Sequence, residues 1–194
     1  MKKVVNANIG RKSFLLNEDA YGKLDRYLRA VERNCGAGEE VREILTDVEN
    51  RIAELLTDRK NSNDEPVSLE DINYVIGILG NPEDFSDGTA KETGYTEYYR
   101  RSRRMYRDTD NVMLAGVASG VAAYLGTDIS VMRILFALSF FVFGPFLYII
   151  LWIVLPAAKT TAQKLEMRGE PVTIENIERS VKAEYERVRS NIGL

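Results

Sequence analysis

The sequence predicts a mainly α-helical protein with a small N-terminal β-hairpin, a three-helix domain, a membrane-embedded helical segment and an amphipathic C-terminal helix. Three observations support this fold class. Residues 134–155 form a run of 22 residues without a charged side chain. Apolar residues recur at helical spacing in three stretches before residue 85 and again after residue 173. Two short strand-like runs precede the first of these stretches.

The first 85 residues predict one small domain. Residues 3–8 and 12–16 have strand character and flank a turn at 9–11. Asn17 is a candidate N-cap for the first helix, and Ser68 with Asp71 forms a candidate capping box for the third. The three amphipathic helices can bury their apolar faces only against one another, so we expect them to form one core.

The apolar run from Ile134 to Leu155 has the length of a membrane span. As one helix it would measure about 33 Å, against about 30 Å for the hydrocarbon core of a bilayer. Gly144 and Pro145 lie at its centre, where proline removes a backbone hydrogen bond. The run could therefore form a single kinked span or a hairpin of two half-length helices. We favour the kinked span, because a hairpin tip would leave more backbone groups unpaired in lipid.

Basic residues are concentrated before this run. Residues 1–99 carry 13 Lys/Arg and 20 Asp/Glu, whereas residues 100–133 carry 6 and 3. Five arginines lie within 100–107, and such a cluster is typical of a positive-inside topology signal, which we favour over DNA binding. The predicted interface anchors are Arg104, Arg107 and Arg133 before the run or at its boundary, and Tyr148 and Trp152 near its far end.

The composition argues against catalysis and metal binding. The 194 residues include no histidine and one cysteine, Cys35. An internal disulfide and a zinc cluster of Cys and His ligands are therefore excluded, and the commonest general base is missing. We predict no enzymatic activity, no cofactor and no metal site. The N-terminus lacks the apolar core of a signal peptide, so we expect the first domain to lie in the cytoplasm.

Residues 21–85 resemble the small helical signalling domains of HAAS type. The likeness rests on Tyr27-Leu28, a long acidic helix and the closing sequence LGNPEDF at 79–85. The leading hairpin is not part of that pattern. HAAS-type domains lie on the cytoplasmic side of membrane-anchored regulators, and the resemblance implies the same location here.

Residues 103–156 resemble the phage shock protein C (PspC) domain along its whole length. The matching motifs are RMYR at 104–107, GVASGVA at 116–122, YLGTD at 124–128, VMRILF at 131–136 and LYIILWIVLP at 147–156. Thr109 and Ser130 stand where prolines are common in the family, and Ser119 replaces a frequent glycine. The family has no catalytic residue to transfer. It implies an inner-membrane location, a link to stress-responsive transcription, and partners of phage shock type, namely small membrane proteins and a peripheral effector.

Small residues line one side of the helix that precedes the apolar run. They are Gly116, Ser119, Gly120 and Ala123. Such a stripe lets helix backbones approach closely, so we expect it to mediate docking of a partner or self-association into a homo-oligomer. The intervening residues 112–125 are apolar, and we expect them to lie on the membrane surface.

The chain ends in an amphipathic helix whose apolar residues recur at a spacing close to a heptad: Ile174, Ile177, Val181, Tyr185, Val188 and Ile192. The seam is too short for a free coiled coil, so we expect it to dock on a partner helix, the membrane surface or the first domain. A kinked span places this tail outside the membrane and a hairpin returns it to the cytoplasm; we predict the outside location. The predicted organisation is a domain at 1–85, a linker at 86–102, a PspC-type domain at 103–156, and a linker with the tail helix at 157–194.

These patterns predict a regulatory or adaptor protein anchored in the bacterial inner membrane and active in envelope stress. It would act through the lipid bilayer and through protein–protein contacts. The alternative is a structural scaffold that oligomerises through Gly116, Gly120 and the tail without signalling. Direct DNA binding is disfavoured, because the helix that would read DNA runs from Asp128 directly into the apolar run.

Overall fold

The computed structural model describes residues 3–36, 38–60, 65–82, 103–143 and 145–192. These residues form a two-stranded sheet and eight helices, which confirms the mainly helical class and the N-terminal hairpin. The chain forms two compact units. Unit 1 comprises residues 1–99 and 172–194, and unit 2 comprises residues 100–171. The predicted linker at 86–102 lies outside the described residues.

Unit 1 begins with an antiparallel hairpin of β1 (Val4–Ile9) and β2 (Lys12–Asn17). Ile9 pairs with Lys12, so the turn consists of Gly10 and Arg11 alone. Both residues have positive φ, +52° and +67°, the conformation that suits a two-residue hairpin turn. A Cβ on Gly10 would lie 2.7 Å from the Cα of Asn50, so glycine also permits a close approach to the second helix.

Three helices follow the hairpin: α1 (Glu18–Cys35), α2 (Glu39–Arg59) and α3 (Leu69–Leu79). Asn17 does precede α1, but its side chain makes no capping hydrogen bond. The predicted capping box of α3 is confirmed, because Ser68 Oγ accepts from Asp71 N–H and the Asp71 carboxylate accepts from Ser68 N–H at 2.9 Å. Gly80 ends α3 with a φ of +87°, a value that side chains rarely adopt.

One buried carboxylate ties α2 to α3. Asp71 is 7% exposed, and its carboxylate lies 2.7 Å from Arg59 Nε and 3.3 Å from Lys60 Nζ. Burial alone would raise the pKa of Asp71. The hydrogen bonds from Ser68, Arg59 and Lys60 outweigh burial and hold the pKa well below its usual value.

The described residues of unit 2 form four helices: α4 (Val117–Leu125), α5 (Ile129–Phe143), α6 (Phe146–Val154) and α7 (Thr161–Arg168). An extended segment at 103–108 precedes them and pairs with residues 156–158. Arg107 N–H donates to the Pro156 carbonyl at 2.8 Å, and Ala158 N–H donates to the Arg107 carbonyl at 2.9 Å. The segment that precedes α4 and the chain that leaves the apolar run are therefore held side by side.

The apolar run folds as a hairpin of two helices, so the predicted single kinked span is wrong. The rings of Phe136 on α5 and Tyr148 on α6 meet edge to face with centroids 5.8 Å apart. Twelve residues of one helix would separate them by about 18 Å. Pro145 accounts for the break, since it directly precedes α6, where a missing N–H costs no helical hydrogen bond. Gly144 lies outside the described residues.

The sequence also predicts that one helix crosses the bilayer. Among the described residues, the structure contains no helix with both the length and the apolarity that a crossing requires.

The C-terminal helix α8 (Ile174–Ile192) packs against α2 within unit 1. The sequence leaves three docking surfaces open for this helix, and in the structure it docks on the first domain. Ile174, Ile177 and Val181 are at most 2% exposed, whereas Tyr185 and Val188 are 40% and 50% exposed. The apolar stripe is therefore buried over its first half and exposed further on. The prediction that the tail lies across the membrane from the first domain does not fit a helix that packs on α2 of that domain.

Fully buried side chains from β2, α1, α2, α3 and α8 form the core of unit 1: Leu16, Val31, Ile44, Ile52, Leu55, Leu56, Ile72, Leu79, Ile174 and Ile177. Burying each such side chain contributes about 1.5–3 kcal/mol relative to exposure. Loss of any one should therefore destabilise the whole unit.

Candidate functional site

Unit 2 exposes large apolar side chains along α5 and α6, in the loop that precedes α4 and at the end of α4. Those at least half exposed are Val112, Met113, Leu114, Leu125, Val131, Ile134, Leu135, Leu138, Phe146, Ile150, Ile153 and Val154. We call the part formed by residues 112–114, α5 and α6 the apolar surface. Apolar area of this extent is unfavourable in water and is typical of a contact with lipid or with another protein.

An apolar groove of about 820 Å³ opens on this surface between α5, α6 and residues 111–119. Ile134, Ala137 and Ile149 are among the residues that line it. Arg133 also lines it, and its guanidinium donates to the Asn111 carbonyl at 3.5 Å. The groove is thus mostly hydrocarbon, with one cationic side chain towards the N-terminal end of α5.

The arginines predicted as interface anchors have different environments. Arg107 donates from Nε to the Leu155 carbonyl at 3.0 Å and from a terminal nitrogen to the Ala115 carbonyl at 3.5 Å. It therefore fastens the start of unit 2 to the end of α6. The Arg104 side chain is 53% exposed, with Nε 4.0 Å from a Glu166 oxygen. Arg104 can thus present positive charge to solvent or to an anionic headgroup.

The predicted aromatic anchors both lie on α6. Tyr148 packs against Phe136 on α5, whereas Trp152 is 49% exposed. Trp152 lies three residues before Leu155, whose carbonyl accepts from Arg107. An exposed indole beside the chain exit suits the interfacial region of a membrane, where amphipathic rings are enriched.

The small residues of α4 face the opening segment of unit 2. A Cβ on Gly120 would overlap the Tyr106 carbonyl oxygen, and a Cβ on Gly116 would overlap that of Asp108. Gly116 also has a φ of +73° and accepts from Asp108 N–H at 3.0 Å. These two glycines therefore let an extended segment of the same domain approach the helix.

The other two members of the stripe are also used within unit 2. Ser119 is 2% exposed and donates to the Asn111 carbonyl at 3.1 Å. Ala123 packs against a buried cluster of Tyr106, Ala158 and Met167. The stripe thus contacts an extended segment and a short helix of its own domain, whereas the sequence pattern predicts a partner or a second copy there.

Residues 157–171, predicted from the sequence as part of a linker, instead contribute α7 and several buried side chains to unit 2. Tyr106 O–H donates to a Glu166 carboxylate oxygen at 3.2 Å, and both residues are buried. Burial, with a further contribution from the Glu166 carboxylate, raises the pKa of Tyr106. The available sequence signal was the T-x-x-Q capping box at Thr160 and Gln163, which the structure forms at the start of α7.

Comparison with known proteins identifies the middle of the chain. Residues 103–158 match the family model described as PspC domain. The PspC part of the predicted resemblance is thereby confirmed. The HAAS-type resemblance over residues 21–85 is not confirmed, and part of its closing sequence lies outside the described residues. No curated protein and no solved structure gave a match.

The match relates unit 2 to a family with a known general association. The PspC domain is associated with the phage-shock stress response, and the family is membrane-associated in general.

Proposed function

We propose that this chain is a regulatory or adaptor protein that is anchored at the bacterial inner membrane and acts in a phage-shock-type envelope stress response. Unit 2 holds the chain at the bilayer through its apolar surface. Unit 1 makes the protein–protein contacts that pass on the state of the membrane. In this proposal the chain acts by binding.

The apolar surface of α5 and α6 is the observation that carries this proposal. Phe146 and Ile153 are 72% and 75% exposed on α6, and Leu138 is 60% exposed on α5. Removing such area from water is favourable by about 25 cal/mol per Å², so the surface favours a lipid environment strongly. The five arginines at 100–107 lie just before it in the chain and would attract anionic headgroups.

The regulatory part of the proposal rests on the contrast between the two units. Unit 1 has a closed core, and residues 1–99 carry a net charge of −7. An acidic domain is repelled by anionic headgroups and would remain free for soluble partners. A change in the bilayer that alters the packing of α5 and α6 could then shift the population of partner-binding states.

The scaffold alternative has less support, because the surface on which it relied is covered. Gly116 and Gly120 contact the segment at 106–108 of the same unit. Self-association through close helix approach would have to use a different surface.

Flotation with vesicles of phosphatidylethanolamine and phosphatidylglycerol tests the membrane role. The full chain should float, and the double variant Leu138→Glu with Ile153→Glu should not, because two charges would enter the apolar contact. Val4→Glu and Val188→Glu are matched controls at exposed apolar positions of unit 1, and both should float. Flotation of the double variant with unchanged circular dichroism would contradict the proposal.

The regulatory role is tested in cells under envelope stress. Replacing the gene by the Leu138→Glu, Ile153→Glu variant should reproduce the transcript changes of a deletion, because a released adaptor cannot report on the membrane. The Val188→Glu strain serves as the control and should respond as the wild type does. Unchanged transcripts combined with leakage or altered cell shape would instead favour a structural role.

A further inference from the structure

The fold joins segments from both sides of the apolar run in one unit. α2 precedes the run and α8 follows it, and the two helices pack against each other in unit 1. Ile177 on α8 is completely buried, and Ile174 is 1% exposed. Two helices that share a core in this way cannot lie on opposite sides of a lipid bilayer.

A segment that precedes the apolar run is also bonded to the residues that follow the run. Arg107 is bonded through its backbone to Pro156 and Ala158, and its guanidinium Nε donates to the Leu155 carbonyl at 3.0 Å. Arg107 precedes α5, whereas the other three residues directly follow α6. The segment that precedes α4 and the chain that leaves α6 are therefore neighbours, independently of the packing in unit 1.

Each arm of the hairpin has about half the length of a crossing. α6 has 9 residues, and the part of α5 from Ile134 to Phe143 has 10. At 1.5 Å per residue these arms extend about 14 and 15 Å, against about 30 Å for the hydrocarbon core. An arm of this length reaches the middle of a bilayer and therefore matches one leaflet.

Pro145 lowers the number of unpaired backbone groups at the start of the second arm. Residues 144 and 145 separate the two helices. Pro145 has no N–H, and its carbonyl accepts from Ile149 N–H at 3.1 Å, so helical bonding begins at the turn itself. The cost of an unpaired backbone in lipid, which favoured a single span on sequence grounds, is thus reduced.

We propose that α5 and α6 enter a single leaflet as a re-entrant hairpin, so that both ends of the chain lie on the same side of the membrane. This inference rests on the proposed membrane role of unit 2. The occupant of the apolar surface is the acyl region of the leaflet that faces unit 1. Arg104 and Arg107, which precede the hairpin, lie at the level of the headgroups of that leaflet.

Reporter fusions to each end of the full chain test this topology. One reporter is a fluorescent protein that matures only in the cytoplasm, and the other is a phosphatase active only outside it. We expect fluorescence from both termini and phosphatase activity from neither. Phosphatase activity from the C-terminal fusion alone would show a crossing and overturn the hairpin. Because such a chain would still float with vesicles, that result is distinct from failure of the membrane role.

Discussion

Gly120→Leu should destabilise unit 2, because no space for a side chain exists at that position. A Cβ there would overlap the Tyr106 carbonyl oxygen and lie 3.1 Å from Arg107 Cα. The obstacle is backbone, which cannot rotate aside as a flexible side chain could. The opening segment at 106–108 must therefore move away from α4.

The cost follows from the hydrogen bonds that this segment makes. Its displacement weakens three of them: Arg107 N–H to Pro156 at 2.8 Å, Ala158 N–H to Arg107 at 2.9 Å and Asp108 N–H to Gly116 at 3.0 Å. At about 1 kcal/mol for each bond and about 1–3 kcal/mol for overpacking, the free energy of unfolding should fall by about 4–6 kcal/mol.

The emission of Trp152, the one tryptophan of the chain, reports on unit 2 during urea unfolding in detergent. The midpoint should fall sharply for Gly120→Leu. Gly22→Ala is the matched control, because nothing lies within 4 Å of a Cβ at that position in α1. It should leave the Trp152 midpoint unchanged and stabilise α1 by about 0.5–1 kcal/mol. If the urea midpoint of Gly120→Leu were unchanged while the variant lost self-association or the binding of a partner protein, the stripe would face outward. The predicted clash with the segment at 106–108 would then be refuted.

Three further predictions concern unit 1. Asp71→Asn should lower the free energy of unfolding by about 2–3 kcal/mol at pH 7, because a charged cap and two ion pairs are weakened. Since the fold depresses the pKa of Asp71, this stabilisation is complete above about pH 4, the value for an unfolded aspartate, and is lost as the pH falls further. Urea midpoints of variant and wild type should therefore converge in acid, and a constant difference would contradict the role of the carboxylate. Ile177→Asp should detach α8, so that a protease releases a C-terminal fragment from the native chain, whereas Tyr185→Ser should remain resistant; equal resistance would mean that α8 does not depend on its core contact. Burial raises the pKa of the Cys35 thiol to about 11, so maleimide should label it slowly at pH 7 and rapidly in urea, and fast labelling of the folded protein would show that the site is open.

Features set by local chemistry could be predicted from the sequence. The hairpin turn within residues 9–11 and the capping box of Ser68 and Asp71 each depend on a few adjacent residues, although the structure pairs Ile9 with Lys12 and leaves only Gly10 and Arg11 in the turn. The PspC motifs at 103–156 form one continuous stretch and were recognisable for the same reason.

Features set by distant contacts could not be predicted. Pro145 is compatible with a kink and with a helix start, and the decisive contact is between Phe136 and Tyr148. Small residues on α4 indicate close packing but do not identify the neighbour, here the segment at 106–108. The stripe on α8 likewise predicts burial without showing that α2 covers it.

The central claim is that the apolar surface of unit 2 lies in lipid, and Trp152 tests it without any substitution. This side chain is 49% exposed on α6 and is the only tryptophan. In vesicles whose acyl chains carry bromine, its emission should shift to shorter wavelength and be strongly quenched, while aqueous acrylamide should quench it weakly. Emission that is unaffected by brominated vesicles and fully open to acrylamide would contradict the account.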